Sequence, residues 1–281
     1  MQLYPAIILF SEENMSQDFR DHVALGQTDL KVSRLGIAAS YGVPAKAIKK
    51  AYHENQINLF YWGSRRHAEM RKALRDLVPS ERDQMVIAFQ TYDKSGLLTS
   101  RKHDSGLKKL GIDHADILIL GWMGGVPRGR MLESALKLRE EGKVRYLAIS
   151  SHNRSLIGSL VGKEDLPVDI YMLRYNAAHR GAEKDIFPYI PDQDPPGIMA
   201  YTTTCWGKLL SERKMPPGQS PMSAADCYRF ALSNPFIDLA LIGPRNALEL
   251  AEGLQALEDG SMSDEELINA RRIGDFVYGK K

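Results

Sequence analysis

The sequence predicts an α/β protein built as a (β/α)8 TIM barrel, in which eight parallel strands alternate with helices. Three observations lead there. Short apolar runs rich in branched residues alternate with longer segments of helical period, the pattern of βαβ units and a buried parallel sheet. The 281 residues suit a barrel, which takes about 250. No G-x-G-x-x-G follows the first apolar run, so the doubly wound open sheet that eight strands could also build loses its main support.

In chain order, strands are predicted over 35–38, 57–60, 85–89, 117–120, 144–149, 170–173, 198–201 and 239–242. Helices fall between them where apolar residues recur at helical spacing, over 45–54, 69–77, 128–141, 155–161, 224–232 and 247–257. Gly111 ends the helix before the fourth strand, and Glu140-Glu-Gly-Lys143 turns the chain into the fifth. The Pro- and Asp-rich segment 191–197 leads from the sixth helix to the seventh strand. Ser263-Asp-Glu-Glu266 is a capping box, so a last helix is predicted over about 263–278. Nothing between strands is long or polar enough to be a linker, so one barrel domain is expected over 1–281, with 1–20 as an N-terminal extension. That extension holds Ala6-Ile-Ile-Leu-Phe10, too short to span a membrane, without a basic start and followed by Glu12 and Glu13; a signal peptide is not expected.

Composition narrows the function. With 43% apolar and 26% charged residues the chain has an ordinary globular composition. Its 37 basic and 35 acidic residues leave a net charge of +2 with no long basic run, which excludes a dedicated nucleic-acid binder. No membrane association is expected. Cys205 and Cys227 show neither metal-ligand spacing nor a disulfide framework, which points to a reducing cytoplasm, with Cys205 read as a packing residue. The histidines form no H-x-H or H-E-x-x-H arrangement, so no metal site is expected, and there is no G-x-S-x-G elbow or P-loop.

Chemistry should sit at the C-terminal ends of the strands. Asp116-Ile-Leu-Ile-Leu-Gly-Trp122 reads as a buried strand, and the residue at its catalytic end is Gly121. Around it stand Leu25-Gly-Gln-Thr-Asp-Leu-Lys-Val-Ser-Arg-Leu-Gly36, Ile57-Asn-Leu-Phe60, Gly142-Lys-Val-Arg-Tyr146 and Ile242-Gly-Pro-Arg-Asn246. In order and spacing these segments resemble the aldo/keto reductase superfamily over essentially the whole chain. They look like its opening hairpin and first strand, its second strand, the turn into its fifth, and the cofactor-clamping loop after its eighth. The resemblance implies a barrel that reduces carbonyls with NADP(H), or less often NAD(H).

Residue by residue, the resemblance stops at the catalytic tetrad. Where the family has aspartate, tyrosine, lysine and histidine, this chain has Tyr61, Arg66, Gln90 and Gly121. Hydride delivery to a carbonyl needs a proton donor or electrophile for the developing alkoxide. Arg66 can donate hydrogen bonds to an oxyanion but stays protonated, and Gln90 and Gly121 do not titrate. Losing one general acid costs about a hundredfold to ten-thousandfold in rate. Candidate replacements are Tyr61, with Arg65 or Arg66 beside it, His152 at the end of the fifth strand, and His67. Each has a plainer reading. Tyr61-Trp62 would fill the space of the missing side chains, and His152 would cap the fifth helix. The polar stretch Arg174-Tyr-Asn-Ala-Ala-His-Arg-Gly-Ala-Glu183, with His179, either lines a ligand pocket or is held by an Arg180–Glu183 pair.

The resemblance carries further into the cofactor site. Ser150 matches a residue that holds the nicotinamide amide, although its neighbour is Ser151 and the expected glutamine is Met172. Tyr201 matches the aromatic under the nicotinamide, and Thr202 and Thr203 follow in a phosphate-contacting loop. Gly243 and Arg245 match the loop that meets the 2′-phosphate of NADP(H), suited to a guanidinium. Glu252 matches an adenine contact whose partner asparagine is Gly253. Two functions therefore stay open. One is an NADP(H)-dependent oxidoreductase with a non-standard active site acting on a small-molecule carbonyl. The other is an inactive NADP(H)-binding pseudoenzyme, acting as a redox sensor or binding a protein partner. A non-redox lyase or isomerase on the same barrel is a third. Trp62, Trp122 and Trp206 follow predicted strand ends and should report a bound nicotinamide.

Overall fold

The computed structural model of the protein describes residues 18–63, 67–163 and 165–279. The predicted extension thus lies almost wholly outside the described residues, as does Arg66. A hairpin of β1 (Val23–Ala24) and β2 (Lys31–Val32) comes first. The barrel then runs through β3 (Leu35–Ala38), β4 (Leu59–Trp62), β5 (Val86–Thr91), β6 (Ala115–Leu120), β7 (Val144–Ser151), β8 (Ile170–Arg174), β9 (Gly197–Tyr201) and β10 (Leu239–Ile242). These strands are all parallel and close in sequence order, β10 pairing with both β9 and β3. The predicted (β/α)8 barrel is the observed fold.

Between the strands lie α1 (Ala45–Asn55), α2 (Ala68–Glu81), α3 (Thr99–Leu110), α4 (Gly129–Glu140), α5 (Arg154–Leu160), α6 (Ala182–Asp185), α7 (Ala224–Leu232) and α8 (Ala247–Asp259), with α9 (Asp264–Tyr278) closing the described chain. Gly111 ends α3 at φ 75°, a left-handed position that glycine takes without a Cβ penalty. The capping box before α9 forms, Ser263 Oγ accepting from Glu266 N–H while Glu266 accepts from Ser263 N–H. The second barrel strand starts at Leu59, later than its apolar run. Asn58 ahead of it accepts from Ser33 N–H at 2.9 Å and donates to Lys31 O at 2.8 Å, anchoring the hairpin.

Strand alternation sorts the core into two layers. Outward residues such as Phe60, Ile87, Leu118 and Ile149 pack beneath the helices. Inward residues such as Leu59, Ala88, Ile119 and Ala148 fill the barrel, and hairpin residues Leu25, Leu30 and Val32 join them. The hairpin closes the N-terminal end: a Cβ on Gly26, at φ 55°, would overlap the backbone of Pro196 and Gly197, where β9 begins. Alternation therefore leaves the C-terminal mouth as the end where inward side chains can meet a ligand. Among the described residues no helix is long and apolar enough to cross a membrane.

Candidate active site

The mouth is built by continuing the inward rows one residue at a time. Tyr61 on β4, Gln90 on β5, Ser150 on β7, Arg174 on β8 and Tyr201 on β9 occupy the top of the barrel, with Gly121 just past β6. Tyr61 is buried and donates its hydroxyl proton to Gln90 Oε1. Tyr92, the next inward position after Gln90, donates to the same oxygen at 3.0 Å. Gln90 Nε2 donates to Ser150 Oγ at 3.2 Å, and Trp122 N–H donates to that oxygen at 3.3 Å. Each of these side chains is neutral. A Cβ on Gly121 would stand 2.5 Å from Gln90 Nε2 and 2.7 Å from ring carbons of Tyr92. The glycine at the family's histidine position thus faces volume already filled by a tyrosine from the neighbouring strand.

The electrostatics follow from this packing. Burial pushes the Tyr61 phenol well above its ordinary range, and the hydroxyls of Tyr92 and Tyr201 add to the shift. A catalytic tyrosine needs the opposite, a nearby cation that lowers its pKa. The lysine that follows Gln90 on the chain is committed elsewhere. Lys94 Nζ donates to Gly121 O at 2.7 Å and Trp122 O at 2.6 Å, holding the left-handed Trp122 (φ 54°). The two aromatics expected to fill the vacated space part company. Tyr61 turns inward, whereas Trp62 turns outward and stacks on His67 at 4.2 Å, because neighbouring strand residues face opposite ways. His67 accordingly lies under the barrel wall, and Trp62 cannot report a ligand at the mouth.

A second group of polar side chains borders the first. Tyr201 OH and His152 Nδ1 are 3.0 Å apart. Asn153, not His152, caps α5, its side chain accepting from Leu156 N–H at 3.1 Å. Burial and then Arg174 hold His152 below the ordinary histidine range. Burial pushes Tyr201 up to about 12, with Arg174 opposing. Arg174 pairs with Tyr201 across the β8–β9 ladder, and its guanidinium lies 5.5 Å from the Trp206 ring centroid. Beneath them, fully buried Asn176 accepts from Ala178 N–H at 3.0 Å and His179 N–H at 2.8 Å, and donates to Thr202 O at 2.7 Å. Arg180 and Glu183 do not pair with each other. Arg180 binds Asp275 at 2.9 Å and Glu183 binds Arg271 at 2.9 Å, because α9 packs across this loop and offers both charges.

His179 lies beside Cys205 Sγ, 3.6 Å from its Nδ1, and makes edge contacts with the rings of Trp206 and Tyr278. Burial first, then Arg174, Lys208 and Arg154, bring its pKa down to about 4. The folded pKa is depressed, so His179 contributes stability above its unfolded value that is lost as pH falls through about 4. An NMR titration is expected to show its imidazole neutral until close to pH 4. A midpoint near the unperturbed value of about 6.5 would remove the burial argument.

The cofactor positions divide into two halves. At the nicotinamide half, Ser150 Oγ accepts from Gln90 and Trp122, while Ser151 Oγ donates to Met123 O at 2.6 Å and accepts from Asn153 N–H at 3.0 Å. Met172 is buried in the barrel and offers no donor. Of the carboxamide clamp that the resemblance implies, Ser150 keeps its hydroxyl proton to donate, whereas the Ser151 hydroxyl is engaged and Met172 supplies no polar group. At the phosphate half, Arg245 is exposed and bonds Glu249 through Nε at 2.9 Å, which leaves its terminal nitrogens for a phosphate. Gly243 lies under the Tyr41 ring, which stands 2.8 Å from where its Cβ would be. Thr202 adopts φ 59°, Thr203 is buried, and Glu252 accepts from Ala224 N–H at 3.0 Å at the start of α7. Beside Glu252, the space next to Gly253 is taken by the Tyr228 ring at 3.1 Å. The residues present fit the phosphate end of a dinucleotide and offer the Ser150 hydroxyl to its nicotinamide carboxamide. No group of three or more metal-ligating residues occurs among the described residues.

Tyr92 and Lys94 are participants that the motifs did not single out. Period-two continuation of β5 past Gln90 is the signal that would have found Tyr92. Two clefts lie elsewhere. One of about 640 Å³ is lined by hairpin and N-terminal residues including His22, Asp29 and Arg145, and one of about 790 Å³ lies between Pro216–Gln219 and α9.

The sequence model of the aldo/keto reductase family matches residues 58–226. Among solved structures, the apo form of aldo-keto reductase AKR11C1 from Bacillus halodurans superposes with a TM-score of 0.73 at 20% identity, covering 90% of this chain and 95% of that chain. Its holo form gives 0.72 at 19% identity, covering 90% and 96%. At these identities the likeness speaks to the fold. No curated protein matches the chain.

Proposed function

Because this chain belongs to the aldo/keto reductase family of NAD(P)H-dependent oxidoreductases, we propose that it is an NADP(H)-binding member without the family's tyrosine-relayed carbonyl reduction. One observation carries this reading. Tyr61, Gln90, Tyr92 and Ser150 form a neutral network at the family's reaction centre, in which both tyrosine hydroxyls donate to Gln90 Oε1 and so are turned away from an alkoxide. Bound NADPH would supply a hydride. Arg245 is the residue that would hold its 2′-phosphate, and Tyr201 offers a ring at the barrel mouth. Such a protein reports cofactor state to a partner protein. Its two buried, free cysteines suit a reducing cytoplasm.

The Tyr201–His152 hydrogen bond favours a second reading, a reductase whose acid is Tyr201 with His152 relaying the proton and a small carbonyl compound as substrate. Titration with NADPH, followed by the fluorescence of Trp122 and Trp206, separates the two. Both rings are exposed at the mouth, 66% and 56% respectively. Saturable quenching, loss of affinity on Arg245→Gln, and no NADPH consumption with aldehydes and ketones is the expected result. Turnover that falls about a hundredfold or more in Tyr201→Phe, while Tyr61→Phe leaves it unchanged, would establish the second reading instead.

A further inference from the structure

We infer that the barrel mouth is a binding site for a small anion carrying a planar ring, with Arg174 as its charge-recognising residue. The inference stands on the geometry of the mouth and does not require that the chain bind NADP(H).

Arg174 is the inward residue at the C-terminal end of β8, the place where a barrel presents side chains to its ligand. Among the described residues no carboxylate pairs with it and no protein acceptor takes its N–H groups; its guanidinium lies over the Trp206 ring. That contrasts with the other arginines nearby. Arg154 binds Asp185 at 2.8 Å, Arg180 binds Asp275 at 2.9 Å, and Arg271 binds Glu183 at 2.9 Å. Among the described residues, the titratable groups around Arg174 are shifted by neighbouring cations. His152 is perturbed by Arg174, and His179 and Cys205 by both Arg174 and Lys208. A guanidinium held by its ring face keeps its donor edge for an incoming anion, and that edge matches a carboxylate or phosphate in a bidentate pair.

The loop that holds Trp206 over Arg174 is a second, independent observation. Thr202, Cys205 and Trp206 have φ values of 59°, 52° and 54°. Left-handed backbone at non-glycine residues costs free energy and persists where surrounding contacts over-determine it, commonly at ligand sites. Here buried Asn176 secures the loop through Thr202 O, and His179 contacts Cys205 and Trp206. On the far side of the mouth Tyr92 and Trp122 lie 5.2 Å apart, exposed by 47% and 66%. Exposed aromatic faces on both sides of one arginine suit a flat ring, stacked while its anionic group meets the guanidinium. The Tyr201 hydroxyl and His152 are the neighbouring polar groups that would orient it.

The test titrates benzoate, phenyl phosphate and uncharged benzamide into the full-length protein, following Trp122 and Trp206 fluorescence and heat. Saturable binding of benzoate or phenyl phosphate, with benzamide at least tenfold weaker, is expected. Tighter benzoate identifies a carboxylate ligand, tighter phenyl phosphate a phosphate ester. Arg174→Gln should weaken binding about 10- to 100-fold, the loss of a charge-assisted bidentate contact, and Arg174→Lys should restore part of it. Because Arg174 makes no hydrogen bond to any of the described residues, both variants should melt with the parent. Equal binding of benzamide, no saturation by either anion, or an unchanged affinity in Arg174→Gln would overturn the inference. Failure of NADPH to bind in a parallel titration would remove the proposed function and leave this result standing.

Discussion

Replacing Asn176 by alanine is expected to destabilise the protein by about 3 kcal/mol and to disorganise the barrel mouth. The side chain is fully buried and makes contacts that no neighbour can replace. Its Oδ1 takes the N–H groups of Ala178 and His179, and its Nδ2 meets Thr202 O. His179 N–H keeps a bond to Asn176 O at 2.9 Å, and Thr202 O keeps Cys205 N–H at 2.9 Å, so the most severe loss is at Ala178 N–H. A buried donor left without a partner costs about 1–3 kcal/mol, and weakened bonds at the other two groups add to it. The functional consequence follows from the same contact. Thr202 sits in left-handed backbone directly after Tyr201, so freeing its carbonyl lets the 202–206 loop relax and moves Trp206 off Arg174. Urea denaturation should give the loss in stability, and Trp206 emission in the folded variant should shift. An Asn176→Ala protein as stable as the parent would show that water or backbone movement replaces these bonds.

The barrel was legible because its physics is written in periodicity. A parallel strand covered on both faces must be apolar along its whole length, and each of the eight runs falls on an observed strand. The capping box of α9 was legible for local reasons, and the hairpin through the family resemblance of Leu25–Gly36. Helix α3 was visible chiefly at its end. Thr99-Ser-Arg-Lys-His-Asp-Ser-Gly carries little apolar signal, whereas Gly111 marks a stop by its left-handed backbone. The active site was legible as a set of substitutions and not as an arrangement. Resemblance in sequence sets Gly121 where the family has a histidine. It does not show that Tyr92, on another strand, occupies the resulting space, since that depends on ring orientation across the barrel. Pairing by proximity in sequence likewise misassigned Arg180 and Glu183, because α9 lies far along the chain and adjacent in space.

Gly121→His, which returns the family's histidine to its strand end, is expected to cost about 3 kcal/mol and to yield no carbonyl reduction. The new Cβ would come within 2.5 Å of Gln90 Nε2 and 2.7 Å of the Tyr92 ring, so both side chains must move. Overpacking of this kind typically costs about 1–3 kcal/mol. Displacing Gln90 also breaks its bonds to Tyr61 and Ser150, which places the effect at the upper end. The origin of the cost can be separated by a double-mutant cycle. Tyr92 is 47% exposed, so Tyr92→Ala alone should be mild, and Tyr92→Ala combined with Gly121→His should recover at least half of the loss. Additive effects would mean that the histidine clashes elsewhere. Carbonyl reduction is expected in neither variant, because the histidine would still face a buried tyrosine that no cation among the described residues shifts downward. The tetrad positions in this barrel therefore depend on one another. With Tyr92 beside Gly121 and Gln90 linking Tyr61 to Ser150, a single substitution at any of these positions is opposed by the packing of the others.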